Sequence, residues 1–288
     1  MKIRDLLSKE QVTLSFEVFP PKRDMDAQPI RQAVGEIASL HPDFMSVTYG
    51  ASGGTSKNTV EIASHIQSAY GVTALAHLTC VSSTQDEIEA MLGRLRENRI
   101  ENILALRGDI PASDAFPLPE HYRYAAELIR EIKKHGDFCI GGACYPEGHV
   151  ECAHQEEDIA HLKEKVDSGC DFLTTQMFFD NSVLYSFLYR ILAKNIDVPV
   201  IAGVMPVTNG KQIRRICQLS GTSLPARFRS IMDKFGDNPP AMKQAGIAYA
   251  TEQIIDLIAN GVKGIHVYTM NKPDIAASIQ ANLSNILH

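Results

Sequence analysis

The 288 residues carry a formal net charge of −6, with 44% hydrophobic and 22% charged side chains. That balance supports a sizeable buried core and, with no basic run, excludes nucleic acid or an anionic membrane surface as the main partner. No stretch approaches the ~18 consecutive apolar residues of a membrane span. The opening "MKIRDLLSKEQ" lacks the apolar run and small-residue cleavage site of a secretory leader, so a cytoplasmic protein is expected. Six cysteines without a C-x-x-C pair read as reduced, structural thiols. In "CYPEGHVECAH", Cys144, His149, Cys152 and His154 match no common zinc spacing, and no metal is expected.

Strand-like runs then follow in chain order: "TLSFEVF" (13–19), "FMSVTYG" (44–50), "ALAHLTC" (74–80), "NILALRG" (102–108), "CIGGACY" (139–145), "FLTTQMF" (172–178), "VPVIAGV" (198–204) and "GIHVYT" (264–269). Helical patterns lie between them. In "STQDEIEAMLGRLRENRI", Ile88, Met91, Leu92 and Leu95 share one face, and Thr84 with Glu87 forms a predicted capping box. Leu184, Phe187, Leu188, Ile191 and Leu192 make a second stripe after an Asp180 or Asn181 cap. Ile159, Leu162 and Val166 make a third, closed by Gly169. Eight strands alternating with helices predict an α/β fold, a (β/α)₈ TIM barrel spanning 1–288 as one domain; a doubly wound sheet is the rival. The long interval between the seventh and eighth strands predicts extra helices near 209–219, 225–235 and 240–259.

A barrel of this kind places its chemistry at the C-terminal strand ends. Those ends supply Glu17, Thr48, Tyr49, His77, Arg107, Asp109, Tyr145, Gln176 and Tyr268. In "TLSFEVFPPK", alternation sets Ser15, Glu17 and Phe19 on one face, and Pro20 and Pro21 stop the strand. Glu17 has two readings: an ion-paired barrel acid, or a carboxyl whose pKa is raised by an apolar setting so that it gives a proton at neutral pH. Arg107, Gly108 and Asp109 read either as a structural ion pair or as a ligand loop, in which Gly108 lets the backbone approach closely. His77 alone reads as a core histidine, whereas a buried Gln176 amide needs partners of the kind a planar heterocycle supplies. Neither G-x-G-x-x-G nor G-x-x-x-x-G-K-[ST] occurs, so a bound dinucleotide would not use a Rossmann or P-loop cradle.

Taken in order, "SFEVFPPK", "FMSVTYGA", "AHLTC", "ALRGD", "YPEGH", "LKEKVDSG", "TTQMFFD", "GVMPVTN" and "HVYTMNK" resemble the methylenetetrahydrofolate reductase family in its bacterial, catalytic-barrel form. The resemblance covers nearly the whole chain. It implies an FAD-binding barrel that passes a hydride from NADH or NADPH through the flavin to 5,10-methylenetetrahydrofolate, giving 5-methyltetrahydrofolate. It implies Glu17 as the general acid, Asp109 as a catalytic and pterin-contacting group, and Gln176, Lys272 and Tyr268 on the folate or nicotinamide side. For FAD it implies Thr48, Tyr49, Ala51, His77, Arg107, Gly108, Asp109, Tyr124, Ala125, Tyr145, His149, Asp158 and Lys165. It also implies a homo-oligomer or a subunit of a larger redox complex.

The chain departs from the family pattern at three positions. Lys272 stands where relatives have an Arg, which keeps charge but loses the bidentate fork. Gly210 replaces a Phe, opening the donor pocket, and Glu164 replaces a basic residue. Two other classes compete with the reductase reading: a pterin-binding barrel methyltransferase, which needs no flavin, and a folate-binding subunit without its own redox reaction. Bound FAD separates the first, and turnover with a reduced dye the second.

Overall fold

A computed structural model describes residues 1–21, 27–49, 56–81, 83–110 and 120–287. The chain begins with α1 (Ile3–Leu7) and β1 (Thr13–Val18), then runs through α2 (Gln28–Ala38), β2 (Phe44–Val47), α3 (Ser56–Tyr70), β3 (Thr73–Thr79), α4 (Gln85–Glu97) and β4 (Asn102–Leu106). It continues through α5 (Ala125–Lys134), β5 (Cys139–Cys144), α6 (Gln155–Asp167), β6 (Phe172–Thr175), α7 (Asn181–Leu192) and β7 (Val200–Val204). Last come α8 (Gly210–Ser220), α9 (Ala226–Phe235), α10 (Pro239–Ala259), β8 (Gly264–Tyr268) and α11 (Pro273–Asn282). The strands close in sequence order, β1 to β8, into one barrel. Every pairing is parallel, and β8 returns to β1 with Ser15 opposite His266 and Glu17 opposite Tyr268. The doubly wound alternative is thereby excluded; β7 ends at Val204 as expected, and the other strands end one to three residues before the runs read from the sequence.

Two apolar layers hold this frame. Outward side chains such as Phe16, Val18, Met45, Ala76 and Ile103 pack beneath the helices in one continuous core. Inside, Phe44, Leu75, Leu104, Phe172 and Ile201 form a plug, and α1 closes it from below with Ile3, Leu6 and Leu7. Asn102, fully buried, ties that closure down: its Oδ1 accepts from Ile3 N at 2.8 Å and its Nδ2 donates to Met1 O at 3.0 Å and Ala74 O at 3.2 Å. Gly141 makes room for the plug, because a Cβ there would lie 2.5 Å from the Phe172 ring.

Local chemistry sets the helix ends. The Thr84 and Glu87 capping box forms at α4, Asp180 caps α7 through Ser182 N, and Gly169 adopts φ +112° just past α6. The three helical segments between β7 and β8 are present as α8, α9 and α10. They share a smaller core of Met177, Phe179, Val207, Ile213, Phe228, Met232 and Met242.

Candidate active site

Period-two alternation stacks a polar layer directly above the plug. On each strand the residue two places after a plug residue faces the same interior: Phe44 leads to Ser46, Leu75 to His77, Phe172 to Thr174 and Ile201 to Gly203. Ser15 and Glu17 on β1, with His266 and Tyr268 on β8, complete the layer. Glu17 Oε2 lies 3.6 Å from His77 Nε2, 3.7 Å from His266 Nε2 and 3.4 Å from the Ser46 hydroxyl that donates to it. The end of β1 is pinned from β8 and the loop after it. Thr269 Oγ1 donates to Glu17 O at 2.7 Å, and the Asn271 side chain both accepts from Phe19 N and donates to Phe19 O at 2.9 Å. That amide replaces the ladder which Pro20 and Pro21 end.

The setting of Glu17 differs from the apolar one expected. Burial pushes its pKa up, but the interactions with His266, His77 and the Ser46 hydroxyl outweigh it. Glu17 therefore lies below the ordinary glutamate value, and the expected elevation is corrected. His77 goes the other way from a charged partner: burial lowers it to about 4, so its ring is neutral at pH 7. Its Nε2 is buried without a hydrogen-bond partner.

Tyr268 is locked in place. Its hydroxyl donates to Thr175 O at 2.6 Å, over Gly203, where a Cβ would meet both that carbonyl and the phenol oxygen at 2.4 and 2.6 Å. Its pKa is pushed well up by burial and by Glu17. Lys272 Nζ donates to Thr208 Oγ1 at 2.7 Å, and Gln176 Oε1 accepts from Met177 N at 3.0 Å.

A second cluster flanks β4 and β5. Arg107 is forked onto Glu151 at 2.5 and 2.6 Å, and Tyr145 meets His149 edge to face with ring centroids 4.7 Å apart. Lys165 Nζ donates to Ala143 O and sits 5.9 Å from the Tyr145 ring centre. Burial lowers Lys165 and raises Asp158, Asp158 being 8% exposed. Burial also lowers His149 and raises Tyr145 to about 12. Gly108 has φ +87°, and a Cβ there would press on Thr79 and Val81 at 3.0 Å, so glycine is required.

The expected site residues thus fall into a central group (Glu17, His77, Tyr268) and a flanking group (Arg107, Gly108, Tyr145, His149, Asp158, Lys165). Asp109 is exposed beside Gly108. Thr48 N bonds Val18 O at 3.0 Å and Tyr49 Oη lies 3.1 Å from Ser83 Oγ, while Tyr124 is half exposed and stacks on His161 ahead of Ala125 at the start of α5. Ala51 lies outside the described residues. Glu164 pairs with Arg130 at 2.6 Å on the outer helices, and Gly210 opens α8, where a Cβ would stand 3.4 Å from Gly236 Cα. Sequence reasoning missed Ser46, His266, Thr269 and Asn271. The same period-two count that selected Tyr268 reaches His266 one step earlier.

A family model described as methylenetetrahydrofolate reductase matches residues 2–284. The chain is 35% identical over 269 residues to "5,10-methylenetetrahydrofolate reductase" of Escherichia coli, covering 93% of this chain and 90% of that one. It is also 35% identical to "Methylenetetrahydrofolate reductase (NADH) 1" of Arabidopsis thaliana, covering 99% of this chain but spanning only 50% of that longer protein. Among solved structures, a Clostridium thermocellum protein described as binding two copies of 5-methyl-5,6,7,8-tetrahydrofolic acid shares the fold, at TM-score 0.62 and 17% identity over 99% of both chains. With a family match across nearly its whole length and these identities, the chain belongs to the methylenetetrahydrofolate reductase family.

Proposed function

We propose that this chain is a single FAD-binding barrel that reduces 5,10-methylenetetrahydrofolate to 5-methyltetrahydrofolate in the cytoplasm, using NADH or NADPH. The observation that carries the reading is a carboxyl, Glu17, held at the open end of the barrel between two histidines and a serine. Family membership supplies the substrate class, and the NADH in the names of the Arabidopsis and Zea mays relatives favours that donor.

The residues present fit a flavin. His77 Nε2 is a buried group without a partner, Gly108 keeps the backbone bare, and Arg107, Tyr145, His149, Asp158 and Lys165 offer charge, hydrogen bonds and a stacking face. Thr48, Tyr49, Ala51, Tyr124 and Ala125 are proposed to complete its binding. When bound, the flavin supplies the hydride chemistry that no protein side chain provides. The chain's own part is to orient the substrate and deliver a proton. Glu17 gives that proton to the folate nitrogen whose bond to the methylene carbon must open. Asp109, Gln176 and Lys272 hold the folate, Lys272 through a point charge that Thr208 aims. Tyr268, bonded to Thr175 O, braces the wall beside Glu17.

The test is an anaerobic visible spectrum of the purified protein before and after NADH, then after methylenetetrahydrofolate. A flavin band that bleaches and returns is expected. Glu17→Gln should still bleach but return at least about 100-fold more slowly, because only the proton is removed. Loss of bleaching as well would show that Glu17 serves the cofactor instead.

A further inference from the structure

His266 is 2% exposed, its ring stacked 5.9 Å from Phe44 and edge-on to Tyr268 at 5.3 Å. Both of its nitrogens are engaged. Nδ1 lies 2.8 Å from Ser15 Oγ, and Nε2 lies 3.2 Å from Ser46 Oγ. Ser15 Oγ also donates to the Ile265 carbonyl at 3.0 Å. The single hydroxyl hydrogen of Ser15 can reach either this carbonyl or Nδ1; given to the carbonyl, it leaves Ser15 Oγ facing Nδ1 as an acceptor. With the hydrogen placed on the carbonyl, Nδ1 carries the ring hydrogen in the neutral as well as the charged form. The proton that comes and goes is on Nε2, the nitrogen turned to Ser46 and Glu17.

We propose that His266 is a positioning residue that stores the proton Glu17 delivers, and that the Ser46 hydroxyl carries it between them. The inference rests on the proton-donor reading of Glu17. Ser46 Oγ lies 3.4 Å from Glu17 Oε2, so the path has two short hops, with the direct separation of 3.7 Å beside it. The Ser46 hydrogen moves to Glu17 Oε2 as the Nε2 hydrogen moves to Ser46 Oγ, and the carboxyl so formed gives its proton to the substrate nitrogen and returns to the carboxylate. The imidazolium becomes a neutral imidazole with Nδ1–H, and one solvent proton restores it in each cycle.

This arrangement also gives the lowered pKa of Glu17 a use: a carboxyl that is ionised alone needs a neighbour from which to draw its proton. His77 is unsuited to that role, being held neutral by burial and having no hydroxyl bridge to Glu17. The titratable groups facing His266 are Glu17 from β1 and, across the interior, His77 from β3, together with Tyr268 of its own strand. The Tyr268 phenol stays neutral, so only Glu17 and His77 exchange charge with the ring.

The test begins with the flavin-free chain labelled with ¹⁵N-histidine. Long-range proton–nitrogen NMR is expected to show the Nδ1–H tautomer for His266, with the Nε2 resonance displaced in Ser46→Ala, which removes the hydroxyl facing it. In the loaded protein, His266→Asn and Ser46→Ala are expected to slow the folate half-reaction by at least about tenfold. The loss should appear in kcat rather than KM, and its pH profile should shift. Ser46→Ala removes only a hydroxyl and serves where His266→Asn does not fold. An Nε2–H tautomer, or an unshifted pH profile in Ser46→Ala, overturns the proposal. If Glu17→Gln itself keeps full folate reduction, the proton-donor reading fails first and the relay falls with it.

Discussion

Gly203 shows how a single missing methyl group shapes the site. Because a Cβ there would lie 2.4 Å from Thr175 O and 2.6 Å from the Tyr268 oxygen, Gly203→Ala has to break the bond that locks Tyr268 beside Glu17. The expected result is a loss of about 1–3 kcal/mol in urea unfolding, together with slower folate reduction. Full stability in that variant would mean that the Tyr268 bond is dispensable. Glu17, on β1 with only β2 between it and the strand of His77, illustrates the opposite lesson. Its type and face were legible in "TLSFEVF", but its electrostatics depended on His266 and Ser46, which lie 249 and 29 residues further along the chain.

The strongest local signals belong to the helices. At α4 the Thr84 side chain accepts from Glu87 N at 3.2 Å while the Glu87 carboxylate accepts from Thr84 N at 2.8 Å, satisfying two donors that the helix start would otherwise leave open. Thr84→Ala should cost about 1 kcal/mol by urea unfolding without altering the flavin spectrum. α1 behaves differently, because five residues are too few to be stable alone and its apolar side chains find their place only beneath the plug. Ile3→Ala is expected to cost about 2–5 kcal/mol and to leave flavin reduction intact, since Ile3 lies at the end of the barrel away from the mouth. No sequence expectation covered α1, and its short length is the reason.

At the scale of the whole molecule, burying His77 at the closed barrel's centre gives the ligand-free fold a pH dependence. Its pKa falls from 6.5 in the open chain to about 4 in the fold, so between these values the unfolded chain binds more protons. Stability therefore rises with pH across that window, and up to about 3 kcal/mol is lost on going from pH 7 to pH 4. Glu17, with a lowered carboxylate pKa, loses its contribution only further down, as pH falls below 4.5 through its folded value. Urea midpoints measured at pH 7 and pH 5 should differ in the native sequence and converge in His77→Gln. Equal midpoints in both proteins would mean that His77 is protonated inside the fold.

The sequence by itself determined the eight strands, their alternation with helices, the three added helical segments before the last strand, and the side on which Glu17 and Tyr268 face. These follow from local periodicity, caps and breakers, which act over a few residues. Only the tertiary structure decided that Ser15, Ser46, His77 and His266 would meet around Glu17, that Arg107 would fork onto Glu151, and that the carboxyl's pKa would fall rather than rise. The reason is closure: joining β8 to β1 brings the ends of the chain together, and Coulomb and hydrogen-bond terms depend on distances across the barrel that no short stretch of sequence encodes.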